Sequence, residues 1–406
     1  MKKIVITGMG AVTPIGIGVD EYWKNLTAGV SGIDKIKSFD PSELAVQIAG
    51  EVKNFNPADY LPKDLIRKTD PFMQYAYIAA EEAIRQSGIE IEPERTGIIM
   101  GTAMSGVATT AFTQDALSSA TNKKVGPRFI PKILGNIAAA NIAIDYNIQG
   151  PSFTVSTACS SGGDAINTAL MCMQSGKADV MLAVGAESVL CPLVIYSLAN
   201  AKALSRRNDD PRTASRPFDT TRDGFVIGEG GGALVLETEE HALARGAKIL
   251  AELKGCGNTC DAHHVTAPHP EGRGAIACMK QALADAGIEA REIGYVNAHG
   301  TATHKGDTVE TNAIKSLFGD NLPYVSSTKG ATGHMMGAGG VTEVIACIKA
   351  LETGLIPPTI NLNDVDEECQ GIDFVANKAK NADIKYAMSN AFGFGGQNSS
   401  IIVGKY

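Results

Sequence analysis

Short runs of β-branched and aliphatic residues alternate along the chain with stretches whose apolar residues recur at helical spacing. The run "KIVITG" near the start predicts a strand, and the stretch "YIAAEEAIRQ" predicts an amphipathic helix. Strands that alternate with helices in this way are typical of α/β proteins, in which helices cover the faces of a sheet. The pattern therefore predicts an α/β fold built in layers.

Two parts of this pattern match each other across the chain. The stretch "SGIEIEPERTGIIMGT" (87–102) aligns without gaps on "AGIEAREIGYVNAHGT" (286–301), and each follows an amphipathic helix. A second pair, "PSFTVSTACSSGG" and "PYVSSTKGATGHMMGAGG", ends in Gly-Gly before a helical pattern. We expect a duplicated α/β unit, with one half over residues 1–250 and the other over residues 251–406. Packing about a pseudo-twofold axis would bring equivalent turns of the halves face to face.

Length and composition fit two such halves. The chain has 406 residues, of which 44% are hydrophobic and 20% charged, which is typical of globular proteins and longer than one core normally serves. Residues 105–150 and 190–225 are rich in loop signals and are predicted insertions in the first half. The beginning lacks the apolar core of a signal peptide, and no run of about 18 uncharged apolar residues occurs. We therefore expect a cytoplasmic protein without a membrane span, whose cysteines are reduced.

The charge balance excludes one class of partner and suggests another. The formal net charge of −8 argues against a general nucleic-acid binder. Local basic clusters could still receive an acidic protein, because electrostatic steering depends on the local field. These clusters are Lys63, Arg67 and Lys68; Lys123, Lys124 and Arg128; and Arg206 with Arg207.

One cysteine occupies the point where a predicted strand becomes a predicted helix. In "TVSTACSSGGDAI" the strand pattern of residues 153–157 ends, Cys159 follows among small residues, and a helical pattern begins. The N–H groups and dipole at a helix N-terminus stabilise a thiolate. Most cysteines are structural, and Cys172 in the apolar stretch "TALMCMQSG" fits that role. Cys159 is instead a candidate nucleophile, which needs a partner base or hydrogen-bond donor.

Two histidines lie in similar surroundings. His299 in "VNAHGTATHKGD" and His334 in "STKGATGHMMGAGG" each follow an apolar strand pattern and are flanked by small residues. A single histidine there is more often structural, but two of them beside a cysteine in an equivalent turn indicate a reaction centre. Charged neighbours could orient the imidazoles or form an ion-pair network. These neighbours are Lys329, Glu343, Asp307 and Glu310.

Two other motifs carry weaker signals. The stretch "CGNTCDAHHVTAPHP" (256–270) contains cysteines and histidines, but their spacing fits neither a zinc ribbon nor a zinc finger. A loop over a ligand pocket is the better interpretation. The stretch "ITGMGAVTPIG" resembles a dinucleotide fingerprint, but Thr13 takes the third glycine position and Pro14 follows it. We expect neither a metal site nor a nucleotide site from these motifs.

Four motifs together resemble those of the β-ketoacyl-acyl-carrier-protein synthases, the condensing enzymes of fatty acid synthesis in the thiolase superfamily. They are "TACSSG" around Cys159, "NAHGTAT" around His299, "KGATGH" around His334 and the closing "NAFGFGGQN". The resemblance covers essentially the whole chain, and the segment "RPFDTTRDGFVIGEG" is most similar to class II of the family. It implies a thiolase-like fold in which duplicated α/β halves form a layered αβαβα architecture.

The resemblance also implies a reaction. Cys159 would take an acyl chain from acyl carrier protein as a thioester, and the backbone N–H groups of Cys159 and Phe394 would form the oxyanion hole. His299 and His334 would donate hydrogen bonds to the thioester carbonyl of malonyl-carrier protein and stabilise the enolate formed as carbon dioxide leaves. The product would be a 3-ketoacyl chain that is two carbons longer. Phe394 would also act as a gate between the two half-reactions.

Further residues follow from the same resemblance. Lys329 would support the charge arrangement beside His334, paired with Glu343. Substrate contacts are expected from Thr301, Thr303, Thr266, Met104, Gly393 and Gly395. The basic clusters would receive the carrier protein, and the chain would form a homodimer. No cofactor or catalytic metal is expected, because phosphopantetheine arrives on the carrier protein; the resemblance also allows a structural monovalent cation.

Three alternatives compete with this interpretation. A thiolase would need a second catalytic cysteine in its C-terminal glycine motif, and "AFGFGGQN" has none. A polyketide or aryl-polyene ketosynthase uses the same three residues on other acyl chains, and this alternative stays open. A chain-length-factor-like partner subunit would shape a pocket without condensing. The presence of Cys159, His299 and His334 argues against such a subunit.

Overall fold

The computed structural model describes residues 2–121 and 124–406. Its strands are β1 (Ile4–Thr13), β2 (Gly16–Ile17), β3 (Asp34–Lys35), β4 (Ile48–Ala49), β5 (Thr96–Gly101), β6 (Ser152–Val155), β7 (Val180–Glu187), β8 (Gly230–Thr238), β9 (Ala251–Cys260), β10 (Ile293–Asn297), β11 (Tyr324–Ser326), β12 (Leu355–Ile356), β13 (Asp373–Phe374), β14 (Lys380–Asn381), β15 (Tyr386–Gly393) and β16 (Gln397–Gly404). Its α-helices are α1 (Val19–Thr27), α2 (Lys63–Lys68), α3 (Pro71–Ser87), α4 (Val107–Ser119), α5 (Phe129–Ile133), α6 (Asn136–Tyr146), α7 (Ser161–Gln174), α8 (Pro192–Asn200), α9 (Glu239–Ala244), α10 (Arg273–Ala286), α11 (His304–Phe318), α12 (Lys329–Thr332) and α13 (Gly339–Thr353).

The strand order of the large sheet is nearly symmetric about its centre. The order is β6-β5-β7-β8-β1-β9-β16-β15-β10-β11-β13, with β2 paired to β1. Outward from the β1–β9 pair, each side has two antiparallel pairings followed by parallel ones, two on the β6 side and three on the β13 side. Two copies of one unit related by a pseudo-twofold axis would give this order. It is consistent with the predicted duplication, while the boundary at residue 250 stays a prediction.

The layers follow from the contacts of two central helices. Helix α7 packs on β5 and β7 of one side and on β9 and β16 of the other, and α13 packs on β7, β8, β15 and β16. Helices α3 and α6 cover the outer face of the first side, and α10 covers β9 and β16 on the second, with α11 against α10. The order of layers is therefore helix, sheet, helix, sheet, helix. The predicted αβαβα architecture is confirmed.

Glycines allow the two central helices to approach closely at their N-terminal ends. A Cβ atom on Gly162 would lie 2.6 Å from the carbonyl oxygen of Gly337, and one on Gly340 would overlap the backbone nitrogen of Gly163. Only glycine permits this backbone contact. The turns that precede α7 and α13, which carry Cys159 and His334, are thereby brought together.

The local predictions agree with the structure except at their boundaries. Strand β6 ends at Val155, and α7 begins at Ser161 rather than near Asp164, after a short 3₁₀ turn over Ala158–Ser160. The predicted insertions hold α4, α5, α6 and α8 as well as loops. All eight cysteines are free thiols. Within the described ranges, no helix has the length and apolarity to cross a membrane.

Candidate active site

Cys159 lies in a tight turn between β6 and α7. The preceding residue, Ala158, has a φ of 51°, a left-handed conformation that costs energy in a residue with a Cβ atom. Side chains of the turn hold it in place: Ser160 Oγ donates to the Thr157 carbonyl at 2.7 Å, and Ser161 Oγ donates to the Ala158 carbonyl at 2.6 Å. The turn therefore holds the Cys159 thiol, half-buried, in the wall of a cavity.

His334 contacts the cysteine directly. Its Nε2 lies 3.0 Å from Cys159 Sγ. The His334 backbone is fixed by Val226, whose carbonyl accepts from the His334 N–H at 2.7 Å, and the ring meets the Phe225 ring edge-on at 5.3 Å between centroids. The His299 ring lies 5.3 Å from the His334 ring at an interplanar angle of 87°. The sulfur and one nitrogen from each histidine all lie within 4.8 Å of one another.

Two buried carboxylates hold the loop that carries His299. Glu310 accepts the backbone N–H groups of His299 and Gly300, each at 2.8 Å. Asp307 accepts the N–H groups of Phe218 at 2.8 Å and Ala302 at 3.2 Å. Neither carboxylate bonds to an imidazole, so they do not orient the rings directly but fix the loop through backbone N–H groups. The alternative role, in an ion-pair network, is seen for Asp307, which lies 3.6 Å from Arg222 Nε. Burial raises the pKa of Glu310 to about 7 and that of Asp307 to about 6.

Both histidines are neutral at pH 7. Burial, reinforced by the positive charge of Lys329, lowers the pKa of His334 to about 3. Burial lowers the pKa of His299 well below its ordinary value, with further contributions from Lys329 and His334. Their Nδ1 atoms are buried without a hydrogen-bond partner in the described part of the chain. A neutral imidazole can accept a proton or donate a hydrogen bond, and a pair of them can polarise a carbonyl.

The thiol of Cys159 is protonated in this setting. Burial raises its pKa to about 11, against the opposing effects of the Phe394 backbone N–H and the Lys329 charge. We expected the N-terminus of α7 to stabilise a thiolate, but desolvation outweighs that effect. The same groups show where an anion would be bound, because the backbone N–H groups of Phe394 and Cys159 both favour the charged sulfur.

Lys329 and Glu343 form a buried ion pair. Lys329 Nζ lies 2.5 Å from Glu343 Oε1, and each side chain is almost fully shielded from solvent. The pair matches the predicted partnership. Lys329 makes no hydrogen bond to Cys159 or either histidine, so it acts on them through its charge.

A cavity of about 620 Å³ opens beside the three residues. Most of the expected substrate contacts line it: Met104, Thr266, Thr301, Thr303, Gly393 and Phe394. Gly395 does not line it, and its N–H donates to the Val265 carbonyl at 2.6 Å. Residues 256–260 of the 256–270 stretch end strand β9, and residues 261–270 form the predicted loop at the pocket. Among the described residues, the cysteines and histidines of this stretch do not form a group that could hold a metal ion. The one group of this kind there comprises Cys159, His299 and His334.

Phe394 lies at the cavity, between Gly393 and Gly395. Its side chain is 40% exposed. Gly395 and Gly396 have φ values of 84° and 71°, which other residues rarely adopt. The Asp261 N–H donates to the Gly396 carbonyl at 2.7 Å. Any movement of Phe394 is therefore coupled to the loop that begins at Asp261.

The basic clusters lie on the surface, partly beside the cavity. Lys63, Arg67, Lys124, Arg128 and Arg206 are exposed, while Lys68 is partly buried; Lys123 lies outside the described residues. Arg128 approaches Asp64 at 3.7 Å, which joins the second cluster to α2. Arg206 donates its backbone N–H to Asp223, a cavity-lining residue.

Sequence reasoning missed several residues that shape the site. Glu187, at the end of β7, accepts from the N–H groups of Ala103 at 2.6 Å and Met104 at 3.1 Å and from that of Gly337 at 3.3 Å. It ties the Met104 turn to the turn before α13, and burial raises its pKa to about 7. Its signal was a carboxylate closing the apolar run "VMLAVGAE". Exposed Lys202 and Lys305, which also line the cavity, were missed as well.

A thiol with two neutral imidazoles and converging backbone N–H groups, on a thiolase-like fold, defines a condensing enzyme that works through an acyl-cysteine. Two family models match the chain: the β-ketoacyl synthase N-terminal domain over residues 1–242 and the β-ketoacyl synthase C-terminal domain over residues 250–363. The chain belongs to the β-ketoacyl synthase family.

Similar proteins agree with this assignment. A 3-oxoacyl-[acyl-carrier-protein] synthase 2 from Coxiella burnetii is 43% identical over 409 residues, which covers 100% of this chain and 99% of that protein. The solved ishigamide ketosynthase/chain length factor has a TM-score of 0.93 at 35% identity and covers 100% of this chain and 99% of its own. The type II polyketide ketosynthase AntDE, solved with its acyl-carrier protein AntF, has a TM-score of 0.91 at 31% identity, with 100% of both chains covered.

Proposed function

We propose that the protein condenses malonyl-acyl carrier protein with acyl-acyl carrier protein, as a class II synthase of fatty acid elongation. The observation that carries the proposal is the grouping of Cys159 Sγ with one nitrogen from each of His299 and His334 within 4.8 Å. The full-length identity of 43% to a 3-oxoacyl-[acyl-carrier-protein] synthase 2 supports the substrate class.

The first half-reaction transfers the acyl chain to Cys159. The thiol proton moves to His334 Nε2, which lies 3.0 Å away, as the sulfur attacks the thioester carbonyl. The backbone N–H groups of Cys159 and Phe394 stabilise the tetrahedral oxyanion. The intermediate collapses, the C–S bond to pantetheine breaks, and the departing thiolate recovers the proton from His334. This leaves His334 neutral and Cys159 acylated.

The second half-reaction uses both histidines together. For this step the ring proton of neutral His334 lies on Nε2 rather than on Nδ1, so that His334 and His299 both donate hydrogen bonds to the malonyl thioester carbonyl. The C–C bond to the carboxylate then breaks as carbon dioxide leaves. The electron pair passes to an enolate, whose oxygen the two imidazoles stabilise. The enolate carbon attacks the acyl-cysteine carbonyl, and Cys159 leaves as a thiolate, which takes a proton from solvent and so restores the resting thiol. Carbon dioxide release drives the condensation.

The test mixes the protein with hexanoyl- and malonyl-carrier protein and follows the carrier protein by intact mass spectrometry. We expect 3-ketooctanoyl-carrier protein, and none from Cys159→Ala. Absence of product from the wild type with several acyl donors would contradict the proposal.

The polyketide alternative is supported by the structural likeness to AntDE and to the ishigamide ketosynthase. It makes a different prediction in the same assay, because a polyketide ketosynthase extends an unreduced 3-ketoacyl chain again. We expect the present protein to stop after one extension. A series of products that grows by two carbons without reduction would favour the polyketide alternative.

We further propose that an acyl carrier protein docks on the basic clusters and that the protein is a homodimer. The acidic partner is supported by the exposed Lys63, Arg67, Arg128 and Arg206 and by the AntF complex of a structural neighbour. The dimer is supported by β6, an edge strand of the main sheet on which Phe153 is 43% exposed. Unpaired edge strands invite pairing with a second chain.

We propose no organic cofactor. A structural monovalent cation fits one feature: Asn297 is fully buried, and neither polar atom of its side chain has a hydrogen-bond partner in the described part of the chain. Asn297 Oδ1 would be its ligand, and the ion would stabilise the fold around the end of β10. The reaction above is assigned no step that depends on it. The cytoplasmic location also stays a prediction.

A further inference from the structure

The segment of residues 222–228 runs between the loops of the two catalytic histidines. On one side it holds His334: the Val226 carbonyl accepts the His334 N–H at 2.7 Å, and the Gly228 N–H donates to the His334 carbonyl at 2.9 Å. The Phe225 ring packs edge-on against the imidazole, at 5.3 Å between centroids. The segment therefore fixes His334 through two backbone hydrogen bonds and through the contact between the Phe225 and His334 rings.

On the other side the same segment holds the loop that follows His299. The Gly224 N–H donates to the Ala302 carbonyl at 3.0 Å. Arg222 donates from Nε to the Thr303 carbonyl at 3.4 Å and from Nη2 to the His304 carbonyl at 3.1 Å. Ala302 has a φ of 67°, a strained conformation that needs support from its surroundings. Three consecutive carbonyls after His299 are thus tied to residues 222–224.

Arg222 is anchored firmly enough to carry this role. It is 1% exposed and is the bulkiest of the fully buried side chains. Its Nη1 donates to Asp366 Oδ2 at 2.7 Å and to the Asp219 carbonyl at 3.0 Å, and its Nη2 also donates to Thr308 Oγ1 at 3.2 Å. Asp307 lies 3.6 Å from Nε. Because each nitrogen of the planar guanidinium group has a hydrogen-bond partner, these contacts hold the group in a single orientation.

We propose that the 222–228 segment sets the separation of His299 and His334, and that Arg222 is a positioning residue for the malonyl half-reaction. The inference rests on the proposed function and deepens it. Acylation needs Cys159, its own turn and His334, which Val226 and Gly228 hold independently of Arg222. Stabilisation of the enolate needs both imidazoles at one oxygen, so it depends on the tie to the His299 loop as well.

The test compares Arg222→Lys with a matched control, Arg216→Lys. Arg216 is also buried, but its hydrogen bonds go to Thr213, Asp219 and Thr221 and reach neither histidine loop. Lysine cannot span two carbonyls as the guanidinium does. Two rates are measured by quenched intact mass spectrometry: acylation of Cys159 from hexanoyl-carrier protein, and loss of that acyl group after malonyl-carrier protein is added.

For Arg222→Lys we expect the second rate to fall about tenfold or more, because small misplacements of catalytic groups are costly, while the first stays near the wild-type rate. Arg216→Lys should leave the ratio of the two rates unchanged. Equal losses in both rates, or none in either, would overturn the proposal.

If Arg222→Lys does not fold, Asp366→Asn removes a more accessible partner of Arg222 and should shift the ratio in the same direction. Wild-type protein that makes no product would instead overturn the proposed function.

Discussion

Burial and catalysis place opposite demands on the Cys159 thiol. A nucleophile needs to lose its proton, yet burial raises the pKa of this thiol to about 11. Cysteine at a strand-to-helix turn could be recognised from the sequence, because small neighbours and a helix start are local features. The degree of desolvation could not, since it depends on loops far away in the chain. In the proposed reaction His334, whose Nε2 lies 3.0 Å from the sulfur, resolves this conflict by taking the proton as the bond forms.

The first prediction concerns the reactivity of Cys159 with iodoacetamide, which needs no bound substrate. Because alkylation requires the thiolate and the folded pKa is about 11, the rate should rise with pH from 7 to about 9.5 without a plateau. The measurement is peptide mass spectrometry of alkylated Cys159 at several pH values. A rate that levels off below about pH 8 would show a thiolate at neutral pH and would contradict the account.

The second prediction concerns the buried pair of Lys329 and Glu343. Glu343→Gln leaves the Lys329 ammonium buried without its counter-charge, so the free energy of unfolding should fall by about 3–5 kcal/mol. Urea unfolding measures it. The matched control is Asp383→Asn, which removes the carboxylate of an exposed pair with Lys405 and should unfold like the wild type. Equal behaviour of the two variants would show that the buried pair does not stabilise the fold.

At the scale of elements, the two turns before α7 and α13 carry the site. Their equivalence could be predicted, because both follow an apolar run and end in Gly-Gly before a helix. Their boundaries were less predictable: α7 begins at Ser161, where serine hydroxyls close the turn. The roles of Glu187 and Glu310 were not predictable in this form. Each bonds to backbone N–H groups of another segment, and only the tertiary fold brings those together.

The third prediction tests the close approach of the central helices. Gly340→Ala would force α13 away from Gly163, which should lower the free energy of unfolding by about 1–3 kcal/mol. It should also slow acylation of Cys159, because the distance between Cys159 Sγ and His334 Nε2 would increase. Thermal unfolding and the acylation rate measure both effects. Gly126→Ala is the control, because a Cβ atom there meets no atom within 4 Å. Acylation at the wild-type rate in Gly340→Ala would contradict the argument.

At the scale of the whole molecule, the internal repeat of the sequence corresponds to the nearly symmetric strand order of the large sheet. The internal repeat was enough to predict two α/β halves, and the family resemblance supplied their layering. Neither gave the β1–β9 pairing that joins the halves into one sheet, because that contact involves only a few residues of each strand. The loop over the pocket could be predicted from the 256–270 motif, but the shape of the cavity could not, since its wall is built from segments scattered over the chain.

The fourth prediction concerns assembly. The protein should sediment at about twice the chain mass of 42.4 kDa, and Phe153→Glu on the edge strand β6 should shift it towards the monomer. Analytical ultracentrifugation makes the measurement. Leu243→Glu is the control, because Leu243 is also an exposed apolar residue but lies on α9. A monomeric wild type, or equal dissociation of both variants, would contradict pairing through β6.

The central claim is that Cys159 carries the acyl chain between two half-reactions. The most direct measurement acylates the protein with hexanoyl-carrier protein, removes the donor, adds malonyl-carrier protein, and follows both proteins by intact mass. The account predicts that the hexanoyl mass leaves Cys159 and that an equal amount of 3-ketooctanoyl-carrier protein forms. An acyl group that remains on Cys159 while product appears would contradict it, because the chain would then have reached the product by another route.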